Sequence, residues 1–393
     1  LWWLQKIGAS GRTMKYDFAV GQSNPETFPV EAFKRAALSA IESEHESFNQ
    51  YPGGKGHAGL RALMARRESE REGVQVDPEM MALTNGSMQG VTLVGQALMD
   101  APGDQVITEQ FTYSGTINAY KGIGLQMIGM PVDEEGMRMD ALEEHLRSMS
   151  QRPKFIYALT AYQNPTGVNL SIERRRRLIE LAAEYEIPVV EDNCYGDVHF
   201  DGDKPPALYA LSDDPHHIYL CSLSKIFAPG VRLGYILARR PYFEQIVSKR
   251  FDAGSNTFAA AVMAQFYEQD LWRHCEDANQ ALKKKRDLLV AALSDGLEDQ
   301  CVWSHPTGGL FLWLRLPEDT DLDRLRTETS ERGFNYAEGK DFNVTGERVP
   351  YIRLAFGHVP DELIAEGIPV LAQCIARARS SNAARGFTTL FDH

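Results

Sequence analysis

Short apolar or β-branched runs alternate with amphipathic segments through the middle of this chain. Chains of this kind fold as a mostly parallel sheet with helices on both faces, and their ligands bind at the carboxyl ends of the strands. The alternation therefore predicts an α/β fold with a site at one edge of the sheet. The predicted strands are Met81–Thr84, Asp104–Thr108, Gln126–Gly129, Phe155–Leu159, Pro188–Val190, His217–Leu220 and Gly234–Leu237, and predicted helices between them are Ser87–Met99, Thr116–Lys121, Met139–Ser148 and Ile172–Glu186.

The pattern changes beyond about residue 265. A helix-rich stretch runs to Leu297, strands are expected within Cys301–Leu316, and a final helix is predicted over Asp361–Arg379. We expect a second, smaller α/β domain here, completed by the first forty or so residues of the chain. The predicted division is 1–44 for the N-terminal arm and part of the small domain, 45–275 for the large domain, and 276–393 for the small C-terminal domain.

Charge and cysteine content limit the partners that this chain can have. Its 393 residues carry 41 Lys and Arg against 54 Asp and Glu, a net charge of −13, and the only basic runs are Arg174–Arg177 and Lys283–Arg286. This composition argues against nucleic-acid binding, and the lack of a long apolar run argues against a membrane span. Five scattered cysteines without a CxxC pair favour reduced thiols in the cytoplasm, with neither disulfides nor a metal site.

One lysine follows a strongly apolar predicted strand, in the segment Ser222-Leu-Ser-Lys225-Ile-Phe-Ala-Pro-Gly-Val-Arg232-Leu-Gly234. Most lysines are solvated surface charges, but Lys225 lies among small hydroxyl residues and glycines, with Arg232 seven positions on. A lysine amine has an ordinary pKa of about 10.4 and becomes a useful nucleophile when burial or nearby positive charge lowers that value. The segment thus indicates a reactive amine beside an anion-binding arginine.

This segment resembles the lysine motif of the pyridoxal-phosphate (PLP) enzymes of the aspartate-aminotransferase superfamily, which are fold type I, class I/II aminotransferases. The resemblance implies a PLP-binding large domain in which Lys225 holds the cofactor aldehyde as an imine. Ser222, Ser224 and Arg232 would then bind the cofactor phosphate. Further motifs of the same family follow one another in the family order from about Phe18 to Ile375.

Two of these motifs concern the cofactor ring. Asn164-Pro165-Thr166-Gly167 resembles the family turn whose Asn contacts the phenolic oxygen of the cofactor and the substrate. Asp192-Asn-Cys-Tyr195 resembles the strand-end Asp-x-x-Tyr pattern. It implies that Asp192 keeps the pyridine nitrogen protonated and that Tyr195 hydrogen-bonds the phenolic oxygen. Taken alone, Asp192 could also be an ordinary surface carboxylate after a strand.

A strand-to-helix turn offers a second phosphate contact. Backbone amides at Gly86, Ser87 and Met88 would point from a helix N-terminus, which suits a phosphate, although the same residues could be a helix capped by Ser87. The family likeness also assigns the ring that stacks on the pyridine to Tyr113, with Phe111 as the alternative.

Other matches concern the substrate and a partner subunit. The resemblance implies that Arg353, in Tyr351-Ile-Arg353, binds the substrate α-carboxylate and that Gly21 lets the substrate approach the backbone. It also implies a homodimer in which Tyr51 reaches the phosphate of the neighbouring site, and Asn256 is a further candidate for that role.

The expected activity is transfer of an amino group from an α-amino acid to a 2-oxo acid, and the pattern is closest to the 2-aminoadipate and kynurenine aminotransferase branch. A PLP-dependent lyase, cyclopropane-forming synthase or oxidase on the same fold is the alternative. A regulator that uses this fold as an effector domain is a third hypothesis, which the few residues before Phe18 disfavour. In the branch that this sequence resembles, the N-terminal segment covers the substrate pocket, and here that segment contains Trp2, Trp3, Arg12 and Tyr16. Arg12 could meet a distal carboxylate of the substrate or be an exposed residue of the tail.

Overall fold

The computed structural model describes residues 14–379 of the chain. The strands are β1 (Tyr16–Asp17), β2 (Met81–Thr84), β3 (Gln105–Glu109), β4 (Gln126–Met130), β5 (Val132–Asp133), β6 (Gly136–Met137), β7 (Phe155–Ala158), β8 (Val189–Asp192), β9 (His217–Ser222), β10 (Gly234–Ala238), β11 (Val302–Trp303), β12 (Phe311–Arg315), β13 (Phe334–Asn335), β14 (Ala337–Glu338) and β15 (Tyr351–Ala355). The α-helices are α1 (Val30–Glu44), α2 (Ala58–Glu72), α3 (Ser87–Leu98), α4 (Ser114–Gly122), α5 (Met139–Ser148), α6 (Ile172–Glu184), α7 (Leu208–Leu211), α8 (Tyr242–Ser248), α9 (Thr257–Gln269), α10 (Leu271–Leu297), α11 (Leu322–Glu331) and α12 (Asp361–Ala378).

Seven strands form the central sheet in the order β2-β10-β9-β8-β7-β3-β4. Only β10 runs antiparallel to its neighbours, so the predicted, mostly parallel sheet is confirmed. Each predicted strand and helix in this part of the chain begins and ends within two residues of an observed one. The antiparallel strand follows from its connection, because β9 and β10 are joined by a loop with no crossover helix.

The apolar runs form strands that are buried on both faces. In β9, Ile218 and Leu220 belong to one hydrophobic core, and Tyr219 and Cys221 belong to another on the opposite face. This is the side-chain alternation of a strand that lies between two helical layers. The sheet is therefore rigid, and the loops at its carboxyl edge start from fixed positions.

A smaller antiparallel sheet of order β11-β12-β15-β14 lies in the C-terminal part of the chain. The early strand β1 pairs in parallel with β13, and Phe18 packs in the same core as Leu354 and Ile375. The predicted smaller α/β unit built from both ends of the chain is thus confirmed. The boundaries at residues 44/45 and 275/276 stay predictions.

Two further expectations concern the environment of the chain. All five cysteines are free and buried. Across residues 14–379, no helix has both the length and the apolar character that a membrane crossing needs.

Candidate active site

A cavity of about 470 Å³ opens at the carboxyl edge of the central sheet. Asp192 ends β8 and Ser222 ends β9, and both line this cavity. Lys225 follows β9 in the loop that leads to β10. Of the sequence candidates, Gly21, Ser87, Met88, Tyr113, Asn164, Asp192, Tyr195, Ser222, Ser224, Lys225, Arg232 and Arg353 all line the cavity.

The amine of Lys225 lies at the centre of these residues. Its Nζ donates a hydrogen bond to the backbone oxygen of Gly21 at 2.7 Å and lies 5.7 Å from the ring centroid of Tyr195. Burial lowers the pKa of Lys225 to about 8, and the positive charges of Arg353 and Arg232 act in the same direction. About a tenth of this amine is therefore neutral and nucleophilic at pH 7, compared with less than about a thousandth for a lysine of ordinary pKa.

Asp192 is buried, and its two carboxylate oxygens have different surroundings. The Tyr157 hydroxyl donates to Oδ2 at 2.6 Å and lies 3.0 Å from Thr116 Oγ1, whereas Oδ1 has no hydrogen-bond partner among residues 14–379. Burial raises the pKa of Asp192. A buried carboxylate oxygen without a donor is costly, and a protonated ring nitrogen would supply the missing donor. The residues present therefore fit a pyridine ring at this position.

The turn between β2 and α3 forms a cradle beside Arg232. Gly86 has φ +80° and occupies the N-cap, and α3 begins at Ser87, so the alternative of a helix capped by Ser87 is wrong. Arg232 Nη2 donates to Asn85 O at 3.1 Å. A Cβ atom at Gly86 would lie 2.9 Å from the guanidinium carbon of Arg232. Glycine is thus required for the Arg232 guanidinium to lie beside the N-terminus of α3. The guanidinium and the backbone amides there are all hydrogen-bond donors, and together they suit a phosphate.

Arg353 lies at the other end of the cavity and is held from four sides. Nη1 donates to Asn164 Oδ1 at 2.9 Å, and Nη2 donates to Ala19 O at 2.5 Å. The guanidinium carbon lies 4.4 Å from the ring centroid of Phe311 and 4.7 Å from that of Phe342. Burial lowers the pKa of Arg353 to about 10, so the group stays charged at neutral pH. A fixed, charged fork of this kind suits a carboxylate.

Packing distinguishes the two candidates for the stacking ring and explains the glycine at position 21. Tyr113 lines the cavity, whereas Phe111 packs against Trp313 and Tyr351 away from it, so the alternative of Phe111 as the stacking ring is not supported. A Cβ atom at Gly21 would lie 2.8 Å from the Phe311 ring, and this crowding explains the glycine.

Some candidates do not enter the cavity of their own chain. Tyr51 is 88% exposed and does not line it. The Asn256 side chain caps α9 by accepting a hydrogen bond from Ala259 N at 2.9 Å. Trp2, Trp3 and Arg12 lie outside the described residues.

Sequence reasoning missed four residues of the site: Tyr157, Phe311, Phe342 and Asp341. Tyr157 was assigned only to a strand, although a polar hydroxyl in an apolar strand is a signal that it needs a buried partner. The other three come from the C-terminal unit, and no local pattern shows that they meet a cavity built by β8 and β9.

The cavity suits a phosphate, a protonated ring and a carboxylate arranged around one amine. The family model for class I and II aminotransferases matches residues 13–370, so this chain belongs to that family and is an aminotransferase. An aromatic-amino-acid aminotransferase of Thermococcus litoralis is 33% identical over 363 residues, which are 91% of this chain and 87% of the relative. A 2-aminoadipate transaminase of Thermus thermophilus is 30% identical over 363 residues, which are 91% of this chain and 89% of the relative.

A solved structure agrees with these relatives. The kynurenine aminotransferase of Pyrococcus horikoshii, crystallised with PMP (the amine form of the cofactor), superposes with a TM-score of 0.88 at 31% identity and covers 93% of this chain and 91% of that chain. The predicted family, fold class and enzyme class are thereby confirmed.

Proposed function

We propose that this aminotransferase uses pyridoxal 5′-phosphate, attached at Lys225, to move an amino group from an α-amino acid to a 2-oxo acid. The observation that carries the proposal is the meeting of Lys225, Asp192, Arg232 and Arg353 in one cavity. The bound cofactor would supply an electron sink for charge at the substrate α-carbon. The residues proposed to hold it are Asp192 at the ring nitrogen, Asn164 and Tyr195 at the phenolic oxygen, Tyr113 at the ring face, and Gly86, Ser87, Met88, Ser222, Ser224 and Arg232 at the phosphate.

The residues of the chain have distinct tasks in this reaction. Arg353 binds the α-carboxylate of the substrate and so orients the α-carbon towards Lys225. The Lys225 amine removes the α-proton and returns it, which its pKa of about 8 allows near neutral pH. Gly21 lines the cavity, and its lack of a side chain would let the substrate approach the backbone.

The oligomeric state, domain division and location are part of the same proposal. Tyr51 is exposed, and so are Phe251 at 91% and Phe258 at 45%. Exposed aromatic rings of this kind support a homodimer in which Tyr51 contacts the partner's phosphate site. A large domain of residues 45–275 would carry this face. The free thiols support a cytoplasmic location.

Replacement of the amine tests the central assignment. In Lys225→Ala we expect loss of the visible absorbance of the bound cofactor and of 2-oxo acid formation from added amino acids. Lys249→Ala, which removes an exposed amine outside the cavity, serves as the control and should behave as wild type. Persistence of the absorbance in Lys225→Ala would contradict the assignment, and release of ammonia or an olefin by the wild type would favour the lyase alternative.

A further inference from the structure

The proposed function leaves one charged residue of the cavity without a task. Five charged side chains line the cavity: Asp192, Lys225, Arg232, Arg353 and Asp341. The first four are assigned to the ring nitrogen, the reactive amine, the phosphate and the α-carboxylate. Asp341 therefore remains available to the only part of the substrate that has no partner yet, its side chain.

The backbone around Asp341 is fixed on both sides. Asp341 ends a short 3₁₀ turn, Gly339–Asp341, and a Cβ atom at Gly339 would lie 2.7 Å from Tyr351 O. The next residue, Phe342, accepts a hydrogen bond from Thr112 N at 2.9 Å and packs against the Arg353 guanidinium. Asp341 is thus held at the cavity wall near the carboxylate-binding arginine.

No cation within residues 14–379 forms an ion pair with Asp341, and its side chain has no hydrogen bond there. The neighbouring Lys340 pairs with Glu338 at 2.8 Å, and Arg353 is committed to Asn164 and Ala19. Burial and the charge of Glu338 raise the pKa of Asp341, while Lys340 and Arg353 lower it. Asp341 is therefore an exposed side chain at the border of the cavity, and its carboxylate has no ion-pair partner among residues 14–379.

We propose that Asp341 selects the substrate side chain, favouring one that ends in a cationic group and disfavouring one that ends in a second carboxylate. The inference rests on the proposed function, because it requires Arg353 to take the α-carboxylate. Among residues 14–379, each cation that lines the cavity already has a task, so a distal carboxylate would meet the negative charge of Asp341, whereas a distal ammonium would meet an acceptor without an ion-pair partner. Discrimination of this kind arises from repulsion as much as from attraction.

Three acids of similar length without an α-amino group test this inference by binding, and the visible absorbance of the cofactor is followed in each titration so that imine formation by the amine of 6-aminohexanoate is detected. Adipate, hexanoate and 6-aminohexanoate share one carboxylate and differ at the distal end, which is negative, apolar and positive. Their dissociation constants for the holoenzyme would be measured by calorimetry at low salt. We expect 6-aminohexanoate to bind about tenfold more tightly than adipate, because the two distal charges interact oppositely with a partly solvated carboxylate.

Asp341→Asn keeps the shape of the side chain and removes its charge. In this variant the preference for 6-aminohexanoate over adipate should fall to about twofold or less while hexanoate affinity stays the same. Glu347→Gln removes a charge from the same segment outside the cavity and should keep the wild-type preference.

Wild-type binding of adipate as tightly as 6-aminohexanoate, or a preference that persists in Asp341→Asn, would overturn the inference. Formation of 2-oxo acid from amino acids is scored separately. A holoenzyme with the expected preference that forms no 2-oxo acid would overturn the transaminase proposal and leave the selectivity standing, whereas the converse result would overturn the selectivity alone.

Discussion

At the scale of single residues, the two carboxylate oxygens of Asp192 have different hydrogen-bond partners. Oδ2 is satisfied inside the protein by Tyr157, and Oδ1 has no partner among the described residues. A side chain held by one oxygen and open at the other is positioned without being neutralised. The Tyr157 hydroxyl therefore positions Asp192, and it would act on the proposed cofactor ring through this carboxylate.

We expect Tyr157→Phe to lower kcat about tenfold, because loss of a hydrogen bond to a charged group is worth about 1.5–3 kcal/mol and frees Asp192 to rotate. KM for the amino donor should change little, since Tyr157 does not line the cavity. Tyr120→Phe is the matched control, because Tyr120 is also buried, lies edge-on to Tyr157 and has a hydroxyl without a hydrogen-bond partner among the described residues. Equal losses of kcat in the two variants would contradict the role of Tyr157.

The lowered pKa of Lys225 predicts the pH dependence of cofactor uptake. Only the neutral amine attacks an aldehyde, and its fraction rises with pH through the pKa. The rate at which the apoprotein gains visible absorbance after addition of pyridoxal phosphate should therefore rise with pH and level off above about 8. A rate that still increases steeply between pH 9 and 10 would show an amine with an ordinary pKa.

Most cavity residues could be predicted from the sequence because their motifs are local, with Lys225 and Arg232 in one segment and Asp192 and Tyr195 in another. Asp341 and Phe342 could not be predicted, because their role depends on the pairing of β14 with β15, which places Ala337 opposite Arg353. Two-residue strands such as β14 carry no periodic signal of their own.

At the scale of elements, the turn between β2 and α3 shows how a strand and a helix build a site jointly. The strand ends at Thr84 and the helix begins at Ser87, which leaves two residues to reverse the chain. Gly86 achieves this with a positive φ, and the absence of its side chain admits Arg232. Glycine is therefore needed at this turn for two reasons, the positive φ of Gly86 and the space that the Arg232 guanidinium occupies.

Gly86→Ala should weaken pyridoxal-phosphate binding at least tenfold, because the added methyl group would displace the Arg232 guanidinium. Gly73→Ala is the control for backbone strain, since Gly73 has φ +71° at the end of α2 but no atom lies within 4 Å of its added Cβ. Gly73→Ala should lose about 1 kcal/mol of stability. Gly86→Ala should lose more, because Gly86 has ψ 161°, a conformation almost restricted to glycine. Only Gly86→Ala should lose cofactor affinity, measured by titration of the apoprotein. Similar affinity losses in the two variants would contradict the cradle.

The strands of the central sheet could be predicted to within two residues because they are continuous apolar runs between turn residues. Their order in the sheet could not, since the placement of β10 between β2 and β9 depends on pairing between segments far apart in the chain.

At the scale of the whole molecule, the ring of Tyr51 is exposed and does not line the cavity of its own chain. The proposed homodimer would cover this ring with a second subunit. The cavity would then be completed only in the assembled dimer.

Mixing two inactive or impaired chains tests this arrangement. Lys225→Ala retains Tyr51, and Tyr51→Phe retains Lys225, so a mixed dimer contains one site with both groups if Tyr51 acts across the interface. Unfolding and refolding the two variants together in equal amounts should raise activity above the mean of the separate variants, towards about a quarter of wild type. Activity that stays at the mean would place Tyr51 outside the neighbouring site.

The hydrogen bond from Lys225 to Gly21 ties the reactive amine to the start of the chain. Phe18 packs in the core of the smaller unit and its oxygen accepts a hydrogen bond from Ala355, only three residues before Gly21. If the small sheet shifts against the large one when a substrate binds, this short tether would move the Lys225 amine with it. The movement that closes the cavity to water would then also place the amine that accepts the α-proton.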